Sequence, residues 1–368
     1  MFSLRNEMKT MEIFEASLKS IEIQENIKTH QIGISDFLLE NYCDFVHISL
    51  ARTDNAFSGW IVHDLEDVDE DEEDQERITV GDTVFQHFIK EGSQLRLYHE
   101  NRIIGALHLL RYLFEIFSGP IEYSRFINGT IPTEKTSNFL IDIYRLNSVK
   151  ECEHVTIFEK GMSSKSMMDE VLDLATGLKR FDLRCTLPDD WKNPKILKLD
   201  TLICWPAEWF TTTDLLTTLD CQCASINETN LKWQSFKAFM LKWQMTENTR
   251  LKWLEISFDG NWEGFNSDGL NAKEWNPADR DSHHPDLLEK PGSNWQNCKF
   301  ATDIQRNHDG VLASFWRREN SFHFVVWHDP HPIATLQPDP RLLVKLEEDQ
   351  FLSSSEDEDE EEEEEEED

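Results

Sequence analysis

A short apolar pattern that recurs in the second half of the chain limits the fold more than any other feature of the sequence. Apolar residues occupy the first, fourth and sixth positions of each copy, and successive copies begin 26, 21, 22 and 30 residues apart. Short segments with alternating apolar residues predict β-strands. In chain order the copies are Cys152/Val155/Ile157, Leu178/Phe181/Leu183, Leu199/Leu202/Cys204, Cys221/Ala224/Ile226 and Leu251/Leu254/Ile256.

Helical segments separate most of these strands. Ser164 is placed to cap a helix through Val171 that Gly177 closes, and Thr211 to Thr213 open a short helix. Strand–helix units of about 20–29 residues are typical of leucine-rich repeats, whose stacked units share one core. We therefore predict an α/β fold with a leucine-rich-repeat-like curved sheet and helices on one side. An ordinary open α/β sheet is the alternative, because the period is irregular and no asparagine ladder is visible.

A small β-meander is predicted to close this sheet. Its strands are Phe300 to Arg306, Val311 to Trp316 and Phe322 to Trp327, and the first turn contains Gly310. A meander at the end of a stacked sheet would cover an exposed edge. The preceding segment, Asn261 to Asn297, is rich in Asn, Asp, Gly and Pro and is predicted to be a long loop.

The first half of the chain carries weaker signals. Residues 1–18 are predicted to be helical, and apolar spacings of three and four predict a second helix over Glu100 to Phe117. Gly119 and Pro120 are the residues expected to end that helix. Between the two helices, Asp64 to Asp74 holds nine acids in eleven positions and predicts an exposed loop.

Charge and composition exclude several classes of protein. The formal net charge is −35, and thirteen consecutive acids end the chain at Glu356 to Asp368. Removing these and the nine acids of the internal run leaves −13, so the chain lacks the basic balance of a nucleic-acid binder or of a protein that binds anionic membranes. The sequence contains no run of about 18 apolar residues, which is the length that a membrane-spanning helix needs. Seven Cys without a secretory signal predict a cytoplasmic or nuclear protein with reduced thiols.

The sequence shows no constellation typical of an enzyme, a metal centre or a cofactor site. Phosphate-binding loops, the nucleophile elbow and the zinc-protease helix motif are absent. The weak candidates have simpler interpretations. Cys221 and Cys223 are interpreted as core thiols, and the four histidines as loop residues (His283, His284, His328 and His331). Asp67, Asp69 and Asp71 form an incomplete calcium loop, and Asp303 and Asp309 are a strand start and a turn. We therefore expect no catalytic residues, no metal and no cofactor.

Three aromatic residues are candidate anchors for a protein partner. Trp205, Trp209 and Phe210 lie in a Pro-containing segment between a predicted strand and its helix. Aromatic side chains on such loops often dominate the binding energy of interfaces. Packing over the end of the sheet is the alternative for all three.

Two segments resemble a known family. In the first, Phe239, Met240 and Trp243 form a helix pattern ahead of the strand pattern Leu251/Leu254/Ile256. The second is Asp303-Ile304-x-Arg306-x-x-Asp309-Gly310-x-x-Ala313, followed by Phe322-x-Phe324-x-Val326-Trp327. With the Leu-rich run at 196–226, these segments are similar to the type 2 F-box-associated domain of nematode F-box proteins over residues 145–330. The spacing within the first segment also predicts that Trp243 is a core residue.

The resemblance implies a function in protein recognition. In that family an F-box docks on the adaptor subunit of a cullin-based ubiquitin ligase, and the associated domain holds the substrate. Residues 2–23 of this chain resemble only the last F-box helix and the strand after it, so we expect docking on the adaptor to be lost. The expected segments are 1–60, an F-box remnant with strands; 61–77, an acidic loop; 78–145, a helical or α/β lead-in; 146–330, the associated domain; and 347–368, a disordered acidic tail.

The sequence thus predicts a non-enzymatic protein-protein interaction module. The resemblance implies that this module is the substrate-recognition part of a cullin-based ubiquitin ligase adaptor or a degenerate relative of one. A different interpretation rests on the tail: an acidic chaperone-like protein would attract basic partners through its polyacidic segment. Such attraction extends over a Debye length of about 8 Å at physiological salt and carries little specificity.

We predict that Ser353, Ser354 and Ser355 are phosphorylated by an acid-directed kinase. Each has an acid three residues downstream, at Glu356, Asp357 and Glu358, and each phosphate would add about −1.5 to −2 charges. Mass spectrometry of the native protein should find phosphate on this segment. Recovery of all three serines in unmodified form would contradict the prediction.

Overall fold

A computed structural model describes residues 10–29, 32, 34–51, 57–67, 77–91, 94–117, 119, 121–130, 133–247, 250–284 and 298–330. The chain divides into two compact units. Unit one comprises Met1–Lys232 and Ile256–Gly260, and unit two comprises Trp233–Glu255 and Asn261–Asp368. The predicted boundary near residue 145 does not separate units, because strands on both sides of it pair with each other.

Unit one is an α/β unit built on a mixed sheet. Its helices are α1 (Thr10–Lys19), α2 (Ile21–Thr29), α3 (Arg102–Ile116), α4 (Glu134–Tyr144), α5 (Asn147–Lys150), α6 (Lys165–Leu174) and α7 (Thr213–Thr217), with 3-10 turns at Leu65–Asp67 and Ile196–Lys198. Its strands are β1 (Ile34–Asn41), β2 (Phe45–Ala51), β3 (Phe57–Asp64), β4 (Ile78–Val80), β5 (Thr83–Phe85), β6 (His87–Glu91), β7 (Gln94–His99), β8 (Ile121–Asn128), β9 (His154–Met162), β10 (Arg180–Thr186), β11 (Thr201–Cys204) and β12 (Cys223–Thr229).

The sheet of unit one runs in the order β12, β11, β10, β9, β8, β1, β2, β3, β7, β6. The six strands from β12 to β1 are parallel to their neighbours. Beyond β1, the pairs β1–β2, β2–β3 and β7–β6 are antiparallel and β3–β7 is parallel. Parallel neighbours need crossover connections, and helices or a 3-10 turn supply them between β8 and β12.

The recurring apolar pattern marks positions that lie side by side in this sheet. Backbone register aligns Val155 with Phe181, Phe181 with Leu202, and Leu202 with Ala224. The next inward positions, Ile157, Leu183, Cys204 and Ile226, form a second aligned row. All eight side chains are buried, and we call these two rows the apolar ladder. The prediction of strands at these four copies of the pattern is confirmed, and the strands are parallel.

The buried rows continue into β8 and β1, for which the sequence analysis gave no strand positions. Phe126 of β8 pairs with Ile157, and Leu39 of β1 pairs with Phe126. Aromatic contacts then join this part of the sheet to its helices: Phe37 packs on Phe114 of α3 with ring centroids 5.1 Å apart, and Phe126 packs on Tyr144 of α4 at 5.2 Å. The core of unit one therefore continues across the residue-145 boundary that the sequence suggested.

The predicted helix signals are confirmed with small corrections. Ser164 accepts a hydrogen bond from the Met167 amide at the start of α6, and Thr212 accepts one from Leu215 at the start of α7. Gly177 does not cap α6, which ends at Leu174. A Cβ atom at position 177 would lie 2.3 Å from the Glu151 carbonyl oxygen, so glycine is required there for close backbone packing.

The N-terminal part of unit one differs from the expectation. Residues 1–9 lie outside the described residues, and α1 buries Phe14 against Trp60 and Tyr112. A strand was expected after this helix, but Ile21–Thr29 is helical because the Ser20 hydroxyl accepts from the Ile23 amide and Ile27 is fully buried.

The predicted acidic loop begins later than the sequence indicated. Asp64 is the last residue of β3, where its carboxylate accepts from the backbone amide of Arg102 at 2.7 Å and forms an ion pair with its guanidinium. This contact fixes Asp64 at the start of α3. Residues 68–76, which carry most of the acidic run, lie outside the described residues.

The described residues of unit two form one helix and the predicted meander. Its elements are α8 (Trp233–Met245), the first three residues of β13 (Trp253–Phe258), β14 (Lys273–Glu274), β15 (Thr302–Gln305), β16 (Leu312–Arg318) and β17 (Ser321–Trp327); the last three residues of β13 belong to unit one. The pairs β14–β15, β15–β16 and β16–β17 are all antiparallel. Gly310 has a positive φ of 74° in the predicted turn. The meander is therefore confirmed, although Phe300 precedes β15 and is 93% exposed.

A buried ion pair organises the segment that was predicted as a long loop. Arg280 is fully buried and donates to both carboxylate oxygens of Asp303 at 2.8–3.0 Å. Asp303 also accepts from the Ser314 hydroxyl, which accepts from the Trp327 indole at 2.7 Å. The segment thus contains β14 and a core arginine, and residues 285–297 lie outside the described residues.

We expect Trp243→Ala to lower the free energy of unfolding of unit two by about 3–5 kcal/mol. Trp243 is 3% exposed, packs on Phe324 at 5.2 Å, and lies under the Arg306 guanidinium. Denaturant unfolding followed by circular dichroism measures the loss. Met245→Ala is the matched control, because Met245 lies on the same helix and is 70% exposed. An equal effect of both substitutions would contradict the core assignment.

Asp303→Asn should cost about 3–5 kcal/mol, because it leaves the buried Arg280 charge without a counter-ion. Asp268→Asn provides the control: Asp268 is exposed in the same unit, and its substitution should change stability by less than about 0.5 kcal/mol. Chemical denaturation of both variants makes the comparison. If Asp303→Asn were as stable as the control, the ion pair would not organise the segment.

Candidate functional site

The two faces of the parallel sheet in unit one differ in exposure and chemistry. Strand alternation buries the apolar ladder on one face, and the residues between the ladder positions occupy the opposite face, which we call the outer face. Its polar, aromatic and aliphatic side chains form rows across the strands. In register, these rows are Asp36–Tyr123–His154–Arg180–Thr201–Cys223, Leu38–Arg125–Thr156–Asp182–Ile203–Ser225, and Glu40–Ile127–Phe158–Arg184.

Exposed aromatic side chains mark the outer face. Tyr123 is 37% exposed, Phe158 is 39% exposed and Trp205 is 48% exposed. The Trp205 amide donates to the Leu183 carbonyl at 2.9 Å, so Trp205 continues β11 alongside β10. One strand therefore separates Trp205 from Phe158, a backbone distance of about 10 Å. Single exposed apolar residues are ordinary, and we refer to these three, which share one sheet face, as the patch.

Ion pairs neutralise most of the charge around this patch. Arg125 donates to Asp36 with its Nη2 at 2.9 Å and its Nε at 3.3 Å. Arg184 donates to Asp182 through the same two groups, both at 3.2 Å. Tyr123 also contacts His154, with ring centroids 4.6 Å apart. The patch can therefore make aromatic contacts and short hydrogen bonds, and its neutralised charges give little long-range electrostatic attraction.

A hydrogen-bonded array on β1 and β2 has the residue types of a serine hydrolase. The Glu40 carboxylate lies 2.7 Å from His47 Nδ1, and His47 Nε2 lies 3.0 Å from the Ser49 hydroxyl. The hydrogen bond with His47 holds the pKa of Glu40 below its usual value, and Tyr42 also donates to this carboxylate at 3.2 Å. The distances alone would suit nucleophilic catalysis.

The position of Ser49 argues against catalysis. Ser49 is 6% exposed in the middle of β2, where it pairs with Leu38 on one side and Gly59 on the other. The residue after it, Leu50, pairs with Phe37 and Ser58, so its backbone amide is committed to the sheet and is not available to an oxyanion as the amide after a nucleophile elbow is. A Cβ atom at Gly59 would lie 3.0 Å from His47 Nε2, so glycine makes room for the imidazole. We interpret the array as a cross-strand network that orders β1 and β2.

The structure separates the three predicted anchors. Trp209 is 1% exposed and Phe210 is fully buried; Trp209 packs on Trp191 with ring centroids 4.8 Å apart. These two residues belong to the core, as the alternative from the sequence proposed. Trp205 alone remains available to a partner. The other predicted site residues, Ser353, Ser354 and Ser355, lie outside the described residues.

The weak metal candidates do not converge. Within the part of the chain that the structure describes, no group of three or more His, Cys, Asp or Glu side chains could hold a metal ion. His284 packs on Trp327, and His328 hydrogen-bonds the Leu251 carbonyl. Cys221 is buried, but β12 begins only at Cys223, which is half-buried; the expectation of two core thiols on one strand face is therefore wrong for Cys223. Asp69, Asp71 and His331 lie outside the described residues.

The suggested carboxylate pair of Asp303 and Asp309 is also divided. Asp303 binds Arg280, whereas Asp309 accepts from Arg306 at 2.6 and 2.9 Å. The hydrogen bonds from Arg306 lower the pKa of Asp309 to about 2. Each carboxylate therefore binds a different arginine: Asp303 binds Arg280 inside unit two, and Asp309 binds Arg306 in the turn that precedes Gly310.

Sequence reasoning missed Tyr123 and Phe158, although Phe158 carried a usable signal. The buried positions of β9 are Val155, Ile157 and Glu159, so an aromatic residue at 158 is out of phase with the core and must face outward. Tyr123 had no such signal, because β8 was not recognised as a strand. Register with β9 places it beside His154.

Comparisons with known proteins give no independent assignment. Among the described residues, no helix is both long and apolar enough to cross a membrane. No protein-family model, curated protein or solved structure matches the chain.

Proposed function

We propose that the chain is a non-enzymatic protein-interaction module that binds a protein partner through the outer face of unit one. The observation that carries this proposal is the placement of Tyr123, Phe158 and Trp205 on one sheet face with 37–48% of each side chain exposed. Exposed aromatic residues beside paired charges resemble the centres of protein interfaces, where aromatic anchors dominate the binding energy.

The proposed architecture is leucine-rich-repeat-like. Parallel strands β9 to β12 align their inward residues in register, and α6, a 3-10 turn and α7 connect them in turn. Units of this kind need their neighbours to complete a core and leave a sheet face for a partner. This supports the relation to the type 2 F-box-associated domain that the sequence resemblance implied, and with it a role in substrate recognition for a ubiquitin ligase.

We place this activity in the cytoplasm or nucleus. None of the seven Cys forms a disulfide, and six of them are buried or half-buried. Burial raises the pKa of Cys185 to about 12 and that of Cys298 to about 11, so both thiols stay protonated and unreactive at neutral pH. Such thiols need no oxidising compartment, and no cofactor is required for binding.

A substitution experiment tests the outer face directly. Trp205→Ala, Phe158→Ala and the double variant should keep the wild-type circular dichroism spectrum, because both side chains are substantially exposed. Each single change should weaken partner binding by about tenfold or more, as expected for an interface anchor. Phe300→Ala is the matched control, since Phe300 is 93% exposed in unit two.

The measurement is quantitative affinity purification from native tissue with wild type, outer-face variants and control, followed by calorimetry with the recovered partner. A partner held equally by wild type and by the double variant would contradict the outer-face proposal. Recovery of only basic proteins that elute as salt rises would favour the acidic-tail interpretation instead. Labelling of Ser49 by a fluorophosphonate probe would contradict the non-enzymatic assignment.

A further inference from the structure

Three half-buried aromatic residues form a continuous surface on unit two. Trp233 is the first residue of α8, and Trp262 and Phe265 lie in the segment after β13. Phe265 contacts both tryptophans edge to face, with ring centroids 5.9 Å from Trp233 and 5.4 Å from Trp262. We call these three residues the aromatic platform.

Trp262 fixes the platform to the core of unit two. Its ring packs on the fully buried Phe236 at 5.6 Å, and its indole N–H donates to the Arg318 carbonyl at 2.6 Å. The Phe265 amide donates to the Trp262 carbonyl at 3.0 Å, which holds the two platform rings of this segment together. The rings are therefore in place before a ligand binds, and this lowers the entropic cost of binding.

Two positive side chains border the platform. The exposed Arg317 guanidinium lies 4.8 Å from the ring centroid of Phe265 and 5.8 Å from that of Trp262. The Lys237 ammonium donates to the side chain of Asn266, the residue after Phe265, at 2.6 Å. Among the described residues, no carboxylate forms an ion pair with either cation. A guanidinium held over aromatic rings still offers donors for a bidentate contact with a carboxylate.

The platform and its two cations define the chemistry of a ligand. Flat, half-buried rings suit an aromatic side chain, and the adjacent cations suit carboxylates. The exposed Glu263 lies between Trp262 and Phe265 in the chain. A run made only of acids would therefore meet a like charge and would offer no side chain to the rings. The surface fits a segment that combines several acids with an aromatic residue.

The chain itself contains such a segment beyond the meander. Residues 346–352 read Leu-Glu-Glu-Asp-Gln-Phe-Leu, with three acids shortly before Phe351. This segment lies outside the described residues. The thirteen acids of Glu356 to Asp368 contain no apolar side chain, so residues 346–352 match the platform better than the end of the tail does.

The segment is close enough along the chain to reach the platform. Leu346 follows Pro330, the last described residue, by 16 positions, and a flexible link of that length has an average span of about 22 Å. β17 extends back from the described end by about 20 Å. Phe322, at the far end of β17, contacts Trp262 of the platform. The link thus matches the required distance, a condition that gives an effective concentration in the millimolar range.

We propose that the aromatic platform binds residues 346–352 of its own chain. Phe351 packs on the platform, and the carboxylates of residues 347–349 pair with Arg317 and Lys237. In an extended segment these acids lie about 7–13 Å from Phe351, so the ring and the carboxylates can bind together. Binding orders this part of a tail that is otherwise expected to be disordered, and it withholds the platform from acidic segments of other proteins. The contact uses residues of unit two alone.

Photo-crosslinking from position 351 tests the contact in the full-length chain. p-Benzoylphenylalanine in place of Phe351 keeps an aromatic side chain, and mass spectrometry locates the crosslink after irradiation. Crosslinks to peptides that contain Trp233, Trp262 or Phe265 are expected. Mixing chains labelled with heavy and light nitrogen identifies the copy that is bound, and the proposal requires crosslinks within one chain. Crosslinks that join the two labels, or that lie on other peptides, would overturn it.

Charge variants of this crosslinking chain test the role of the cations. Arg317→Glu should lower the crosslink yield about threefold or more, because the loss of one charge-assisted contact changes a binding constant by about tenfold. Arg318→Glu is the matched control: strand alternation places Arg318 on the opposite face of β16, and the yield should stay unchanged. An equal effect of the two substitutions would contradict the proposal.

A charge exchange separates loss of the contact from loss of folding. Glu347→Lys, Glu348→Lys and Asp349→Lys together should abolish the crosslink when Arg317 is present and restore it in the Arg317→Glu chain. No recovery in a chain with the wild-type circular dichroism spectrum would overturn the proposed pairing. If Arg317→Glu does not fold, the three lysine substitutions alone decide, and an undiminished crosslink in that variant would overturn the pairing.

Discussion

Inward side chains in register across parallel strands are the contacts on which the rest of unit one depends. Val155, Phe181, Leu202 and Ala224 bury one another in a row, with Ile157, Leu183, Cys204 and Ile226 beside them. A shift of one residue in any strand would turn its apolar set to the opposite face. The apolar ladder thus fixes which side chains face outward, and so places Phe158 and Arg184 on the outer face.

The same register has two further consequences. It aligns the strand ends so that Asn41, Asn128 and Glu159 form a continuous polar row, and it presents the outer face as a surface with ordered rows of side chains. In the proposed function, stability and recognition would therefore be carried by opposite faces of the same strands. The two functions can be changed separately, because substitutions on the outer face leave the buried contacts in place.

Local sequence patterns predicted those parts of the fold in which a single strand or helix has a recognisable pattern of its own. The ladder strands, the Ser164 and Thr212 caps, the Trp243 face and the meander all have short-range patterns. Long-range pairing had none: β1 lies beside β8 although some 80 residues separate them in the chain. The burial of Arg280 was not predicted, because the Asn- and Asp-rich sequence around it is typical of loops and its burial depends on Asp303, which is distant in the sequence. Of the predicted site, Trp205 remains exposed, while Trp209 and Phe210 had the composition of anchors but the packing of core residues.

Hydrogen exchange tests most directly whether the apolar ladder is one cooperative unit. Phe181→Leu loosens a single position of the ladder, and mass spectrometry can follow the peptides of β9, β10, β11 and β12 separately. If the ladder holds these strands together, amides in all four should exchange faster by a similar factor, because they open as one unit. Faster exchange confined to β10, with β9, β11 and β12 unchanged, would show that the strands are held independently and would contradict the account.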